Sequence, residues 1–241
     1  MNMQNIVVVG DQFHQFADGK NAMTVSQFQA LSRLPDCCLT GPLRLTLGQG
    51  ARQDEVARII AANGFAKKLD LSDLQRVEAR APGTHSHKCQ PHNTVIGPPQ
   101  RLGDSRYCCG LLVDERCELM GDHQTGQHIQ GMILVEAFRQ SFLAVSEEFY
   151  PLEGANKTYF VINTLDTTFS SFVFPLPAEV RIDVTECDAR PHRIRLKMQM
   201  AMLQGGVDCA ACTAAFTIYP EHVIAEKERQ LAEQAISKVT Q

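Results

Sequence analysis

The sequence predicts an α+β fold in which an antiparallel sheet wraps one long buried helix, with a small α/β region in front of it. Three observations carry that expectation. Ile129 to Val145 is apolar almost throughout and runs to Tyr150-Pro151, where a helix stops. Beyond Pro151 apolar and polar residues alternate: Ile194, Leu196, Met198, Met200 and Met202 interleave with Arg195, Lys197, Gln199 and Ala201, the period of strands with one buried and one wet face. Residues 1–80 instead read as β-α-β-α, with four short elements.

Taken in order, residues 5–10 are a β-branched run ending in Gly10, and Thr24 to Leu34 reads as a helix stopped by Pro35. Leu43 to Leu47 reads as a second strand and Gln53 to Asn63 as a helix closed by Gly64. Ala81-Pro82-Gly83 then punctuates the chain, and charge changes there, since the acidic excess lies in the later part. The expected units are 1–80 for the small region, 81–220 for the sheet and its helix, and 221–241 for a terminal helix. Arg106 to Val113 reads as a strand, and Val180, Ile182 and Val184 alternate with Arg181, Asp183 and Thr185. Gln204-Gly205-Gly206 turns a hairpin into a strand from Val207 to Tyr219. Pro220 opens the helix Glu221 to Lys238, whose narrow apolar stripe is Ile224, Leu231, Ala235 and Ile236.

Composition bounds the function. The 241 residues are 44% hydrophobic and 21% charged with a net charge of -4, the profile of a globular protein and not of a disordered or fibrous one. The acidic balance argues against nucleic acid as a partner. No apolar run approaches the roughly 20 residues that span a bilayer, and the opening Met1 to Gly10 lacks a basic leader, so a cytoplasmic address without membrane contact is expected. Nine cysteines, four of them in the vicinal pairs Cys37-Cys38 and Cys108-Cys109, point to reduced thiols packed as small hydrophobes.

Chemistry concentrates on the long helix. Glu136, Arg139 and Gln140 interrupt its apolar surface at i, i+3 and i+4, so all three share one stripe and the carboxylate and guanidinium can reach each other or a common ligand. A charge on a core helix costs several kcal/mol unless it is paired or used. Two explanations stay open: a structural Glu136–Arg139 ion pair, or a ligand pocket.

The helix, the strands that follow it and the run from Asp122-His123 through Gln127-His128-Ile129-Gln130-Gly131-Met132-Ile133-Leu134-Val135-Glu136-Ala137 to Arg139-Gln140 resemble the hotdog domain of the A-factor, or γ-butyrolactone autoregulator, synthase family. His87-Lys88 with Asn93 resembles that family's opening His-Lys strand, and the likeness extends over about residues 84–220. The resemblance implies an enzyme that transfers a β-ketoacyl group from an acyl carrier protein, or a coenzyme A thioester, to the hydroxyl of dihydroxyacetone phosphate, in signal-molecule or secondary-metabolite synthesis. Synthases of the family carry two hotdog repeats, whereas this chain has one, so a homodimer is expected to supply the second. A more distant similarity is to hotdog β-hydroxyacyl-carrier-protein dehydratases, whose His-Phe-Pro-Gly stretch stands here as His128-Ile129-Gln130-Gly131. Dehydration or thioester hydrolysis is therefore the alternative chemistry, and a non-catalytic acyl-binding module the alternative of another class.

Acyl transfer needs a base for the attacking hydroxyl, donors for the oxyanion and a helix N-terminus near the carbonyl. Glu136 or His123 is the candidate base, amides near Gly131 are the candidate oxyanion donors, and Arg139 is the candidate clamp for an anionic acceptor. His128, Gln140, His87 and Lys88 complete the expected substrate-binding set, with Lys88 a second phosphate anchor. Ile133, Phe138 and Phe142 are expected beside an acyl tunnel. His85, His87, Cys89 and His92 have ligand-like side chains, but no second pair stands at zinc spacing, so no metal is expected. Nor is any other cofactor: the strand ending at Gly10 lacks a G-x-G-x-x-G, and Cys209-Ala210-Ala211-Cys212 lies within a strand, where core packing is the better explanation.

Overall fold

The computed structural model describes residues 3–62, 68–76, 78–121 and 125–240. The chain opens with β1 (Gln4–Val9), α1 (His14–Ala17), β2 (Ala22–Thr24), α2 (Val25–Leu31), β3 (Leu43–Leu47), α3 (Gln53–Ala62) and β4 (Leu69–Asp70). Their strands form a parallel sheet in the order β2-β1-β3-β4. Val8 and Leu45 pack with Val25 and Phe28 of α2 and Val56 and Ile59 of α3 into a local core. Thr24 and Gln27 form a reciprocal capping box that starts α2. That helix ends at Leu31, short of the expected Leu34, because its last turn tightens into the bonds Arg33 N–H to Ala30 O and Leu34 N–H to Leu31 O. Gly64, the expected closing residue of α3, lies outside the described residues.

The loop between β3 and α3 ties this small sheet to the rest of the chain. Gly48, Gln49 and Gly50 donate their backbone N–H groups to the carbonyls of Val8, Pro175 and Val113. The Gln49 side chain, itself buried, donates to Leu111 O at 2.8 Å and accepts from Val113 N–H at 2.7 Å. Glycine is required at Gly50 of this loop and at Gly10, which packs against it. Gly50 has φ +80°, and a Cβ on Gly10 would lie 2.6 Å from the Gly50 backbone. This clamp also ends the strand expected to run from Arg106 to Val113. It stops at Gly110 because Leu111 and Val113 spend backbone groups on Gln49.

The second part comprises α4 (Gly83–Ser86), β5 (Gln100–Arg101), β6 (Arg106–Gly110), α5 (Gly131–Phe149), β7 (Thr158–Phe169), β8 (Glu179–Arg190), β9 (Arg193–Gln204), β10 (Val207–Pro220) and α6 (Glu221–Val239). Its six strands are antiparallel in the order β5-β6-β8-β9-β10-β7 and enclose α5, the hotdog arrangement. Alternation decides the faces. Ile194, Leu196, Met198, Met200 and Met202 of β9 are buried with Val180 and Ile182 of β8 and with Ile133, Ala137, Phe138 and Phe142 of α5. Phe142 stacks on Phe216 with ring centroids 4.4 Å apart. Val9, Phe13 and Phe16 of the small region join the same core, so the two parts share buried surface.

Three expectations are corrected here. The strands after Pro151 are not a simple meander: β7 pairs with β10 at the far edge, and the segment between β7 and β8, pinned where Gln204 bonds both backbone groups of Phe174, carries the chain across. His87-Lys88 lies on no strand, since Pro82 starts α4 and His87 ends it in the left-handed conformation with φ 54°, and Pro91 then begins another helical turn. Cys37 and Cys38 are exposed, while Cys109, Cys117, Cys209 and Cys212 are buried; all nine are free thiols. No described helix is long and apolar enough to cross a membrane.

Candidate active site on the central helix

The stripe read from the sequence faces the turn that follows α4. The Glu136 carboxylate, on a side chain only 11% exposed, accepts from Arg139 Nε at 2.8 Å, from the second Arg139 nitrogen at 2.9 Å and from Gln140 Nε2 at 2.9 Å. Lys88 Nζ approaches the same carboxylate at 2.8 Å. Burial pushes this carboxyl up, but the bonds from Arg139, Gln140 and Lys88 outweigh burial and hold it at about 2. Glu136 is therefore an anion at any physiological pH. One carboxylate faces two cations, each about a quarter exposed, so the cluster presents net positive charge to solvent.

Gln140 and Asn93 lock the cluster in place. Gln140 is fully buried, and its amide donates to Asn93 O at 2.8 Å and accepts from Val95 N–H at 2.9 Å. The Asn93 side chain in turn accepts from Glu118 N–H. Below, Arg80 donates to the carbonyls of Thr94 and Leu112 and lies 3.7 Å from the buried Asp114, which Arg116 also holds. Cys117 lies close enough to feel the charges of Lys88 and Glu136, yet burial pushes its thiol up and keeps it protonated.

The other expected residues separate. His87 neighbours Lys88 in sequence but turns towards the C-terminal end of α5, where its Nε2 lies 2.9 Å from Glu147 Oε1. His128 precedes α5, with Nδ1 3.1 Å from Thr125 Oγ1 and its ring 4.5 Å from that of Phe172. Gly131 opens α5 beside the Phe169 ring, and its N-cap residue Gln130 makes no capping side-chain bond because its amide goes to Leu119 O. His123 lies outside the described residues. Ile133, Phe138 and Phe142 are fully buried. A cleft of about 500 Å3 lies elsewhere, between the β3–α3 loop and the sheet, lined in part by Gln49, Arg76, Arg80 and Arg181; neither Glu136, Arg139 nor Lys88 lines it.

Glu147 is absent from the sequence expectations, and Asn93 enters them without the role it has here. Glu147 lies eleven residues after Glu136, about three helical turns and about 16 Å further along the same face, so its spacing alone marks it as a member of the stripe. Asn93 holds Gln140 through its backbone carbonyl, for which no side-chain pattern exists, and Glu118 N–H through its side chain.

Comparison with known proteins agrees with this architecture. The A-factor biosynthesis hotdog domain matches residues 69–220. Among solved structures, a thioesterase from Haemophilus influenzae is similar at 14% identity, covering 62% of this chain and 90% of that one with a TM-score of 0.40. A mutant thioesterase from Pseudomonas aeruginosa is similar at 11% identity, covering 52% and 81% with a TM-score of 0.37. No curated protein sequence matches the chain. With well over half of its length in that one match, the chain belongs to the A-factor biosynthesis hotdog domain family.

Proposed function

We propose that the protein transfers an acyl group, in the family's pattern a β-ketoacyl group, from a carrier-protein or coenzyme A thioester to the hydroxyl of a small anionic acceptor such as dihydroxyacetone phosphate. The observation that carries this reading is the cluster in which the buried Glu136 holds Lys88 and Arg139 together at the surface with surplus positive charge. Two cations fixed by one carboxylate match a phosphate, which offers oxygens to a guanidinium fork and an ammonium together. Glu136 in this role orients the cations. A carboxyl held at about 2 accepts protons weakly, so removal of the hydroxyl proton is assigned to His123. The start of α5 at Gly131, which has no side-chain cap, offers backbone N–H groups to the developing oxyanion, and His128 precedes it in the chain.

A homodimer belongs to the same proposal. β7 is a twelve-residue strand at the sheet edge, with Ile162 and Phe169 exposed, and pairing with a second copy would cover it.

Mass spectrometry of the purified protein with a β-ketoacyl-carrier protein tests the reaction. Acyl ester formed only when dihydroxyacetone phosphate is present supports the transferase. Free acid without acceptor dependence indicates a thioesterase, loss of water from a hydroxyacyl substrate a dehydratase, and unchanged thioester in every case a binding module.

A further inference from the structure

His87 is the one described non-glycine residue with a positive φ, at 54°. A left-handed backbone at such a residue is strained and persists where its surroundings enforce it. Here a clasp does so. Glu147 of α5 lies 2.9 Å from His87 Nε2 and also accepts from Thr158 Oγ1 of β7 at 3.0 Å. The His87 ring stands edge-on to Phe160, also on β7, with ring centroids 5.2 Å apart. Two residues earlier in the same segment, His85 Nδ1 lies 3.4 Å from Glu148 of α5, a contact without hydrogen-bond alignment that becomes an ion pair when the ring is protonated. Lys88 follows His87 directly, closes α4 by donating its N–H to Gly83 O, and extends to Glu136. Three contacts with glutamates, at residues 85, 87 and 88, therefore fasten one short segment along α5, and the two made by histidines are ion pairs when the rings are protonated.

The chemistry of the first two differs from that of the third. Lysine and glutamate stay charged across the physiological range, whereas histidine loses its charge within it. A neutral His87 still has one ring N–H to share with the Glu147 carboxylate, but the charge–charge attraction of the two rings for Glu147 and Glu148 is gone. Burial pushes the Glu147 carboxyl up, yet the bonds from His87 and Thr158 together with the His87 and His85 charges hold it below the ordinary glutamate range, so it remains the anion in this contact. Lys157, which precedes Thr158 in the chain, is turned to Glu221 at 3.7 Å.

We propose that His87, clasped by Glu147, is the positioning residue that presents Lys88 to the anion subsite, and that protonation of His85 and His87 tightens that presentation. The proposal rests on the reading of Lys88 and Arg139 as an anion subsite for its consequence, but the clasp itself can be tested without acyl substrate. The probe is an amine-acylating reagent with site-resolved mass spectrometry, and the readout is the labelling rate of Lys88 divided by that of Lys157, 75% exposed on its side chain. The ratio removes the common effect of pH on amine reactivity.

In the full-length protein the ratio should rise about two- to fivefold from about pH 5.5 to about pH 8.5, the change expected when partly exposed ion pairs weaken. The double variant His85→Gln with His87→Gln should give a flat profile at the high-pH value, and Glu147→Gln should reduce the rise. A flat profile in the unaltered protein, or an unchanged rise in the double variant, overturns the clasp. If the double variant fails to fold, His85→Gln alone decides the matter, since a rise equal to that of the unaltered protein refutes the proposal. Where transfer activity is present, the acceptor KM of His87→Gln should rise with kcat unchanged. Absence of transfer activity with the expected labelling profile refutes the proposed reaction and leaves the clasp standing.

Discussion

Replacing Glu136 by glutamine removes the anion that Lys88 and Arg139 share while keeping size and shape. The cost follows from the acid equilibrium. A carboxyl lowered from 4.5 to about 2 by its partners corresponds to about 3 kcal/mol of folding stability. Screening at Lys88 and Arg139, 26% and 27% exposed on their side chains, brings the expected loss nearer to about 2 kcal/mol. The sign is set by the direction of the shift. Because the folded pKa lies below the unfolded one, the stabilisation is fully present above about pH 4.5 and disappears as pH falls towards about 2. Urea unfolding of both proteins at neutral pH, and at intervals down to the lowest pH at which both fold, should show a difference that is constant and then narrows below about pH 4.5. A loss under about 0.5 kcal/mol at neutral pH, or a difference that does not narrow in acid, would refute the reasoning.

Three further outcomes follow from other contacts. Arg139→Lys keeps charge but loses the planar fork that grips Glu136 through two nitrogens, so steady-state kinetics should show the acceptor KM raised more than kcat is lowered. Phe142→Ala empties a fully buried position stacked on Phe216 and should cost about 3 to 5 kcal/mol in chemical denaturation, with less if the core collapses into the gap. His123→Ala should abolish the limb of the transfer rate that rises through about pH 6 to 7, whereas retention of that limb would place the base elsewhere.

The sequence by itself determined the elements that depend on periodicity. The β9 alternation from Ile194 to Met202 came out buried on the expected face, and Leu43–Leu47 and the long helix ending before Pro151 stand where their patterns put them. It also determined that Glu136, Arg139 and Gln140 share a helix face, because a 3.6-residue period is a local property. Tertiary structure decided what each of the three does. Gln140, polar and placed for substrate in the sequence reading, is sealed in the core, where it holds the backbone of Asn93 and Val95. His87 and Lys88, adjacent in the chain, were separated by a left-handed turn and sent to opposite ends of the same stripe, to Glu147 and Glu136. The same holds for the Gly48-Gln49-Gly50 loop, whose amides are committed to Val8, Pro175 and Val113. Hydrogen bonds between distant segments leave no period in the sequence: each side chain's partner is fixed only when the whole sheet has closed around its helix.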